Sequence, residues 1–405
     1  MFAPIVSFSQ TLYGLKKTVN GSSTIPFDVV NINPFTGSTT FALSTNSLIA
    51  VAAGASTYDQ QNSRYICWGI DNQNNENLYV MDLDNSQTES NLFSSVQAIE
   101  MEYDLRSQKA YGLWWDGAAE HFGEIDLSTG LVSSISILQG VEAVAIGNST
   151  FDSNSGNYIF IGQEANQYKL YTIDSETGAI INSPTIWEDG VTYSALEFNN
   201  QNGGKLYGLF RDINYDNYNP VYGAYYTDLR LAEIDLETGN SLIVNPQISV
   251  ISGYLPGYAI GGLCFDQQTQ TYIVRVQNET GNYLKLVSVY NSNIIASTAI
   301  SNDNYFYELQ VDNFSFAVDA YNLSATNFNA ENDLNNLKIF PNPTSSYIHI
   351  SYDDQLEVII FDLLGKEINR GFFKGKIDVS YLKKGIYFLK ILDGLNTSSH
   401  KIIKE

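Results

Sequence analysis

Gly123-Glu124-Ile125-Asp126-Leu127-Ser128-Thr129-Gly130 and Ala232-Glu233-Ile234-Asp235-Leu236-Glu237-Thr238-Gly239 are two copies of one phrase, and Leu170-Tyr171-Thr172-Ile173-Asp174-Ser175-Glu176-Thr177-Gly178 is a third. Each follows a short aromatic stretch: Tyr111-Gly112-Leu113, Leu206-Tyr207-Gly208-Leu209 and Tyr158-Ile159-Phe160-Ile161-Gly162. Weaker copies pair Leu12–Leu15 with Val30–Gly37, Tyr65–Gly69 with Leu78–Leu83, and Tyr272–Val276 with Leu284–Tyr290. The repeat has a period of roughly 50 residues, the signature of a modular array. Apolar residues alternate over five to seven positions between turn formers, so each of the six units reads as four short strands. Asp-x-x-Thr-Gly is the turn after the third strand, because Asp bonds its own downstream backbone and Gly supplies positive φ. Four-stranded units in this number predict an all-β, six-bladed β-propeller, with seven blades or an open solenoid as alternatives.

The array begins on what reads as the second strand of a unit. The surplus strands Tyr305–Val311 and Phe314–Val318 can complete that unit and close the ring, removing exposed edges. The propeller is thus expected over 10–321. Residues 1–9 resemble the end of a secretory signal, an apolar stretch closing on Ser7-x-Ser9.

Charge marks a second boundary. Residues 337–405 hold 10 of the 21 Lys and Arg but 8 of the 44 Asp and Glu, so the tail carries about +2 and residues 1–336 about −25. Between the regimes, 322–336 is a polar stretch too poor in apolar residues to bury itself, and reads as a linker. A net charge of −23 argues against nucleic acid or an anionic membrane as partner, and no apolar run reaches the ~20 residues of a transmembrane segment. Acidity of this kind suits an exported, soluble protein. Cys67 and Cys264 each sit inside apolar runs and read as buried small hydrophobes without a bridge.

The tail, 337–405, alternates or runs apolar at strand length and predicts a small immunoglobulin-like β-sandwich. Its blocks are Lys338-Ile339-Phe340-Pro341-Asn342-Pro343-Thr344, Val358-Ile359-Ile360-Phe361-Asp362-Leu363-Leu364-Gly365-Lys366, Gly385-Ile386-Tyr387-Phe388-Leu389-Lys390 and Lys401-Ile402-Ile403-Lys404. In that order and position they resemble the type A C-terminal sorting domain of the type IX secretion system of Bacteroidetes. The resemblance implies that Pro341, Asn342, Pro343, Asp362, Gly365, Lys366, Gly385, Tyr387, Lys401 and Lys404 form a sorting motif. It also implies passage through the periplasm, recognition by the outer-membrane translocon, and removal of the tail by a sortase-like peptidase near 322–336. The destination would be the medium or the outer cell surface.

Raw material for catalysis is scarce. His121 is the only propeller histidine, and no Gly-x-Ser-x-Gly elbow, His-Glu-x-x-His, Cys-x-x-Cys or phosphate-loop run occurs. Paired carboxylates remain open, since a glycoside hydrolase needs only two, close in space. The non-repeating loops are the better lead. Trp114, Trp115 and Asp116 lie between strands two and three of one unit; a long insertion, 211–228, carries Arg211, Tyr215, Tyr218, Tyr222 and Tyr225; Trp187 and Tyr254 lie at unit junctions. All are expected on one face. Aromatic rings beside Asp, Asn and Arg suit a glycan or a polypeptide. Asp212, Asp216 and Asp228 could hold Ca²⁺, although no loop has the twelve-residue calcium pattern. The expectation is a secreted or surface propeller that binds glycan or protein, with a glycan-active hydrolase or a structural surface-layer component as alternatives.

Overall fold

The computed structural model describes residues 11–17, 25–85, 87–93, 96–186, 193–201, 204–300, 306–313, 339–350, 356–362, 367–392 and 397–404. Every element there is a β-strand, and the chain forms two compact units, 1–317 and 318–405. The expected signal remnant, the strand Phe314–Val318 and the linker 322–336 fall outside the described residues.

Among the described residues the first unit contains six antiparallel sheets, called blades 1 to 6 in chain order. In blade 1 the strands Leu12–Lys17, Phe27–Ile32 and Thr39–Ser44 are completed on the inner side by Phe306–Val311, which pairs Val311 with Leu12. Blades 2 to 6 start at Leu48–Asp59, Ile99–Asp104, Ala143–Asp152, Tyr193–Asn199 and Gly257–Asp266 and run outward in chain order. These first strands neighbour one another in a closed circuit. The packing follows the same circuit, because each apolar cluster is shared by two adjacent blades. Blades 1 and 2 share Leu15, Val29, Tyr65 and Tyr79; blades 6 and 1 share Ile273, Leu284, Leu12 and Phe306. The strands therefore read apolar on both sides, the pattern of sheets covered on two faces.

The repeated phrase makes the turn read from it. Asp126 Oδ1 accepts the amides of Ser128 (2.8 Å) and Thr129 (3.3 Å), and Gly130 closes the turn at φ 74°. Asp174 and Asp235 are bonded in the same way.

Two further features recur without sequence similarity. Every inner strand breaks register around a left-handed residue: Glu308, Gly54, Glu100, Gly147, Ala195 and Gly261 in blades 1 to 6. Odd blades use a side chain and even blades use Gly. The buried tyrosines Tyr65, Tyr158 and Tyr272 of the even blades donate to the carbonyls of Glu308, Glu100 and Ala195. Just past the inner strands, polar side chains tie one blade to the next. The Asn313 amide donates to Gln60, that of Gln267 to Asn313 (3.0 Å), that of Asn200 to Gln267 (2.9 Å), and that of Ser153 to Asn200 (2.8 Å).

The second unit is two sheets around one core. Ile339–Phe340, Tyr347–Ile350 and Lys376–Asp378 form one; Glu367–Phe373, Leu356–Asp362, Gly385–Leu392 and Thr397–Lys404 form the other. Ile348, Ile350 and Ile377 meet Val358, Ile360, Leu389, Ile391 and Ile402 between them.

Candidate binding site

The insertion read as a loop is a projecting hairpin. Lys205–Asn219 and Ala224–Ile234 pair far beyond the blade, with Tyr218 opposite Tyr225, and Ile251–Gly253 adds a strand along Thr227–Leu229. Tyrosine favours a pleated, half-buried surface, and here that outweighs the turn-forming Asn and Asp around it. Asp212 lies opposite Asp228, a repulsive placement on a bare ladder. Arg230 relieves it: its guanidinium reaches Asp228 at 2.7 Å and Asp212 at 3.3 Å. Asp228 also accepts from Ser249 at 2.8 Å. Two of the three carboxylates considered for Ca²⁺ are thus occupied by Arg230, and Asp216 is exposed. Among the described residues no group of three or more His, Cys, Asp or Glu is placed to hold a metal ion.

Four sequence-selected tyrosines lie on this hairpin, in two groups. Tyr215 and Tyr218 each meet Tyr225 edge-on, with ring centroids 5.3 and 5.1 Å apart. Tyr254, from the blade junction, stacks on Tyr222 at 5.6 Å and meets Tyr226 edge-on at 5.4 Å. Its hydroxyl also bonds Asn217 at 3.1 Å. The rings brace one another yet stay open to water: Tyr215, Tyr218, Tyr222 and Tyr225 are 61, 52, 43 and 40% exposed. Arg211 sits at the foot of the hairpin, opposite Leu229.

Trp114, Trp115 and Asp116 form a separate group on blade 3, two blades away. Trp114 is buried and stacks on His121 at 5.2 Å, while Trp115 is exposed. His121 bonds Asp116 through Nε2 at 2.9 Å and Ser134 through Nδ1 at 3.1 Å. Amides of Ala119 and Ala118, and then His121, hold the Asp116 carboxyl down at about 2. Ser134, His121 and Asp116 have the residue types of an acyl-transfer triad. However, Ser134 is exposed on the outermost strand, whereas such catalysis draws on donors in a water-excluded site. Trp187 lies outside the described residues.

Sequence reasoning missed the carboxylates on the propeller axis. A cavity of about 130 Å³ is lined from all six inner strands and contains Glu100, Glu102, Glu197 and Glu308. Burial raises Glu100 and Glu308 to about 7 and Glu102 to about 8, and pushes Glu197 well up. Glu100 accepts the amides of Gly147 (2.6 Å) and Asn148 (2.9 Å); Glu308 accepts from Ser56 (2.9 Å) and Gly54 (3.3 Å). Each therefore clasps the following blade. Cys67 and Cys264 are both buried and free.

In the tail, Asn342 shows what the Pro-Asn-Pro block does. Its side chain donates to Lys401 O at 2.7 Å and accepts from Ile403 N at 2.8 Å, so it pairs with the last strand as a backbone would. Pro341 and Pro343, both after cis bonds, contribute no donors of their own at this edge. Thr344 N continues the contact to Ile403 O at 2.8 Å. Tyr387 packs on the core and donates to Lys383 O at 3.0 Å; Lys401 is exposed and Lys404 buried. Asp362 and Gly385 end and begin core strands, while Gly365 and Lys366 lie outside the described residues.

Comparison with known proteins agrees with this division. TolB from Acinetobacter baumannii superposes with a TM-score of 0.51 at 13% identity, over 75% of this chain and 67% of that one. The nidogen/laminin complex gives 0.45 at 7% identity, over 75% and 98%. At such identities only the TolB match carries weight, and it speaks to the fold alone: a β-propeller. No curated protein matches the sequence. The family model described as "Secretion system C-terminal sorting domain" matches residues 338–405. That segment is therefore a C-terminal sorting domain of the type IX secretion system, carried behind a β-propeller and directing the chain to the outer surface.

Proposed function

We propose that the exported propeller is a carbohydrate-binding protein whose ligand lies on the tyrosine hairpin of blade 5. The observation that carries this reading is the set of exposed rings on the hairpin, Tyr215 and Tyr218 braced on Tyr225, and Tyr222 braced on Tyr254. Such rings offer flat apolar area for a sugar face, and the phenol hydroxyls with Asn214, Asn217 and Asn219 supply polar contacts around it. The bracing limits the ordering entropy lost on binding. The axial carboxylates would match a general acid in acidity, but Glu100 and Glu308 spend their oxygens on neighbouring blades, so we assign them to ring closure. Removal of the tail by a sortase-like peptidase within 322–336 belongs to the same reading. The test is a glycan array followed by calorimetry on the protein without its tail. Tyr218→Ala and Tyr222→Ala should each weaken the best ligand about tenfold, the loss of ~1.4 kcal/mol, with an unchanged melting temperature. Absence of any glycan ligand, or equal binding by both variants, would overturn it in favour of a polypeptide ligand or a purely structural role.

A further inference from the structure

The sorting domain contains one apolar sheet face too many. A strand covered on one side alternates, whereas Val358-Ile359-Ile360-Phe361, Ile386-Tyr387-Phe388-Leu389 and Ile402-Ile403 run apolar without a break, as strands covered on both sides do. Within the domain, one set has its cover. Val358, Ile360, Leu389, Ile391 and Ile402 point into the core shared with the smaller sheet. The alternate positions point the other way. Phe361 pairs with Phe388, Phe388 with Lys401, and Ile386 with Ile403, which sets these residues side by side on the outer face. Phe388 and Ile386 are 40 and 39% exposed, Phe361 and Ile403 partly so. Lys390 and the exposed Lys401 flank them.

We propose that this face, centred on Phe388 and Ile386, is the surface by which the sorting domain docks on the outer-membrane secretion machinery, against an apolar patch with an acidic rim. The occupant follows from three observations. The family match spans the domain that bears the face. The apolar residues come from three of the four blocks that mark the family resemblance. The flanking lysines belong to a tail of about +2, on a chain otherwise about −25, so the cations are concentrated where an acidic rim would meet them. The inference is independent of the tyrosine hairpin and of its ligand.

The test uses the full chain in a host with type IX secretion, measuring the fraction delivered to the surface or medium against that retained in the periplasm. Phe388→Ser combined with Ile386→Ser should cut delivery about tenfold or more while the melting curve and protease resistance of the retained protein match wild type. Lys401→Glu, which leaves every apolar position intact, should also reduce it and guards against misfolding of the first variant. Tyr347→Ser, equally exposed but on the smaller sheet, should be delivered normally. Wild-type delivery of the double variant and of Lys401→Glu, or an equal loss with Tyr347→Ser, would overturn the proposal. So would a change confined to self-association, which would assign the face to a second copy. Deletion of 337–405 is the reference: if that chain is still delivered, the sorting role itself fails, a different result from failure of the face alone.

Discussion

Glu308 accepts a 2.9 Å hydrogen bond from the hydroxyl of Ser56, 252 residues earlier in the chain. The bond crosses the junction between blade 1 and blade 2, with the carboxyl supplied by the last described strand of the propeller. Ring closure thus depends on a buried acid.

That dependence has a pH signature. Burial raises Glu100 and Glu308 from 4.5 to about 7, and Glu102 to about 8. Around Glu308, Glu100 pushes in the same direction while Arg275, Ser56 and Gly54 oppose it. The folded ring therefore holds protons that an unfolded chain releases above pH 4.5. This contribution is complete below that value and is lost as pH rises through about 7 to 8, on the order of 3 kcal/mol for Glu308. The depressed aspartates of the turns, such as Asp126 at about 2, titrate well below this window. Thermal melts should show lower stability at pH 8.5 than at pH 5, and Glu308→Gln should flatten the slope. A pH-independent melting temperature would show that burial does not hold these carboxyls protonated in the ring.

Gly261→Ala should be among the most damaging single-methyl changes in the propeller. Its φ is +66°, and an added Cβ would lie 1.9 Å from Glu308 Oε1. Left-handed backbone costs an L-residue about 1–2 kcal/mol, and displacement of the clasp adds to that. Denaturant unfolding should show a loss of roughly 2–4 kcal/mol. Gly117→Ala, with nothing within 4 Å, should lose only the conformational part.

Arg230→Met should loosen the hairpin while sparing the ring. Without the guanidinium, Asp212 and Asp228 face each other uncompensated. Limited proteolysis with chymotrypsin should cleave at Tyr215–Tyr226 several times faster than in wild type, more so at low salt, with the main melting transition unmoved.

Asn342→Ala should weaken the tail. The two bonds to Lys401 O and Ile403 N are partly exposed, so the expected cost is about 1 kcal/mol. Hydrogen exchange of the Ile403 amide reports it directly and should accelerate, whereas exchange in the Leu356–Asp362 strand should stay slow.

The blades were legible in the sequence because their information is local. Asp126, Asp174 and Asp235 each bond amides two or three residues ahead, so a nine-residue window contains the whole turn. The hairpin was misread as a loop because its Asn and Asp suggest turns, while the decisive facts, Arg230 bridging two aspartates and Tyr254 stacking from a junction, join distant segments. The axial glutamates left a fainter trace. Glu100 and Glu308 each stand four residues before a closing acid, Asp104 and Asp312, whereas Gly54, Gly147 and Gly261 stand five before Asp59, Asp152 and Asp266, so aligning inner strands on that acid sets the two kinds one position apart. Ala195 keeps the spacing of the glutamates, four before Asn199, without their acid, and no local pattern announces a left-handed Glu.

The pairing of Leu12 with Val311 also sets how the molecule answers force. The two ends of the propeller leave blade 1 from the same edge of one antiparallel ladder. Tension between them peels that ladder apart one hydrogen bond at a time instead of shearing all of its bonds together. A propeller fixed at one end and dragged by flow at the other would open first at blade 1, at low load, with the other five blades still closed.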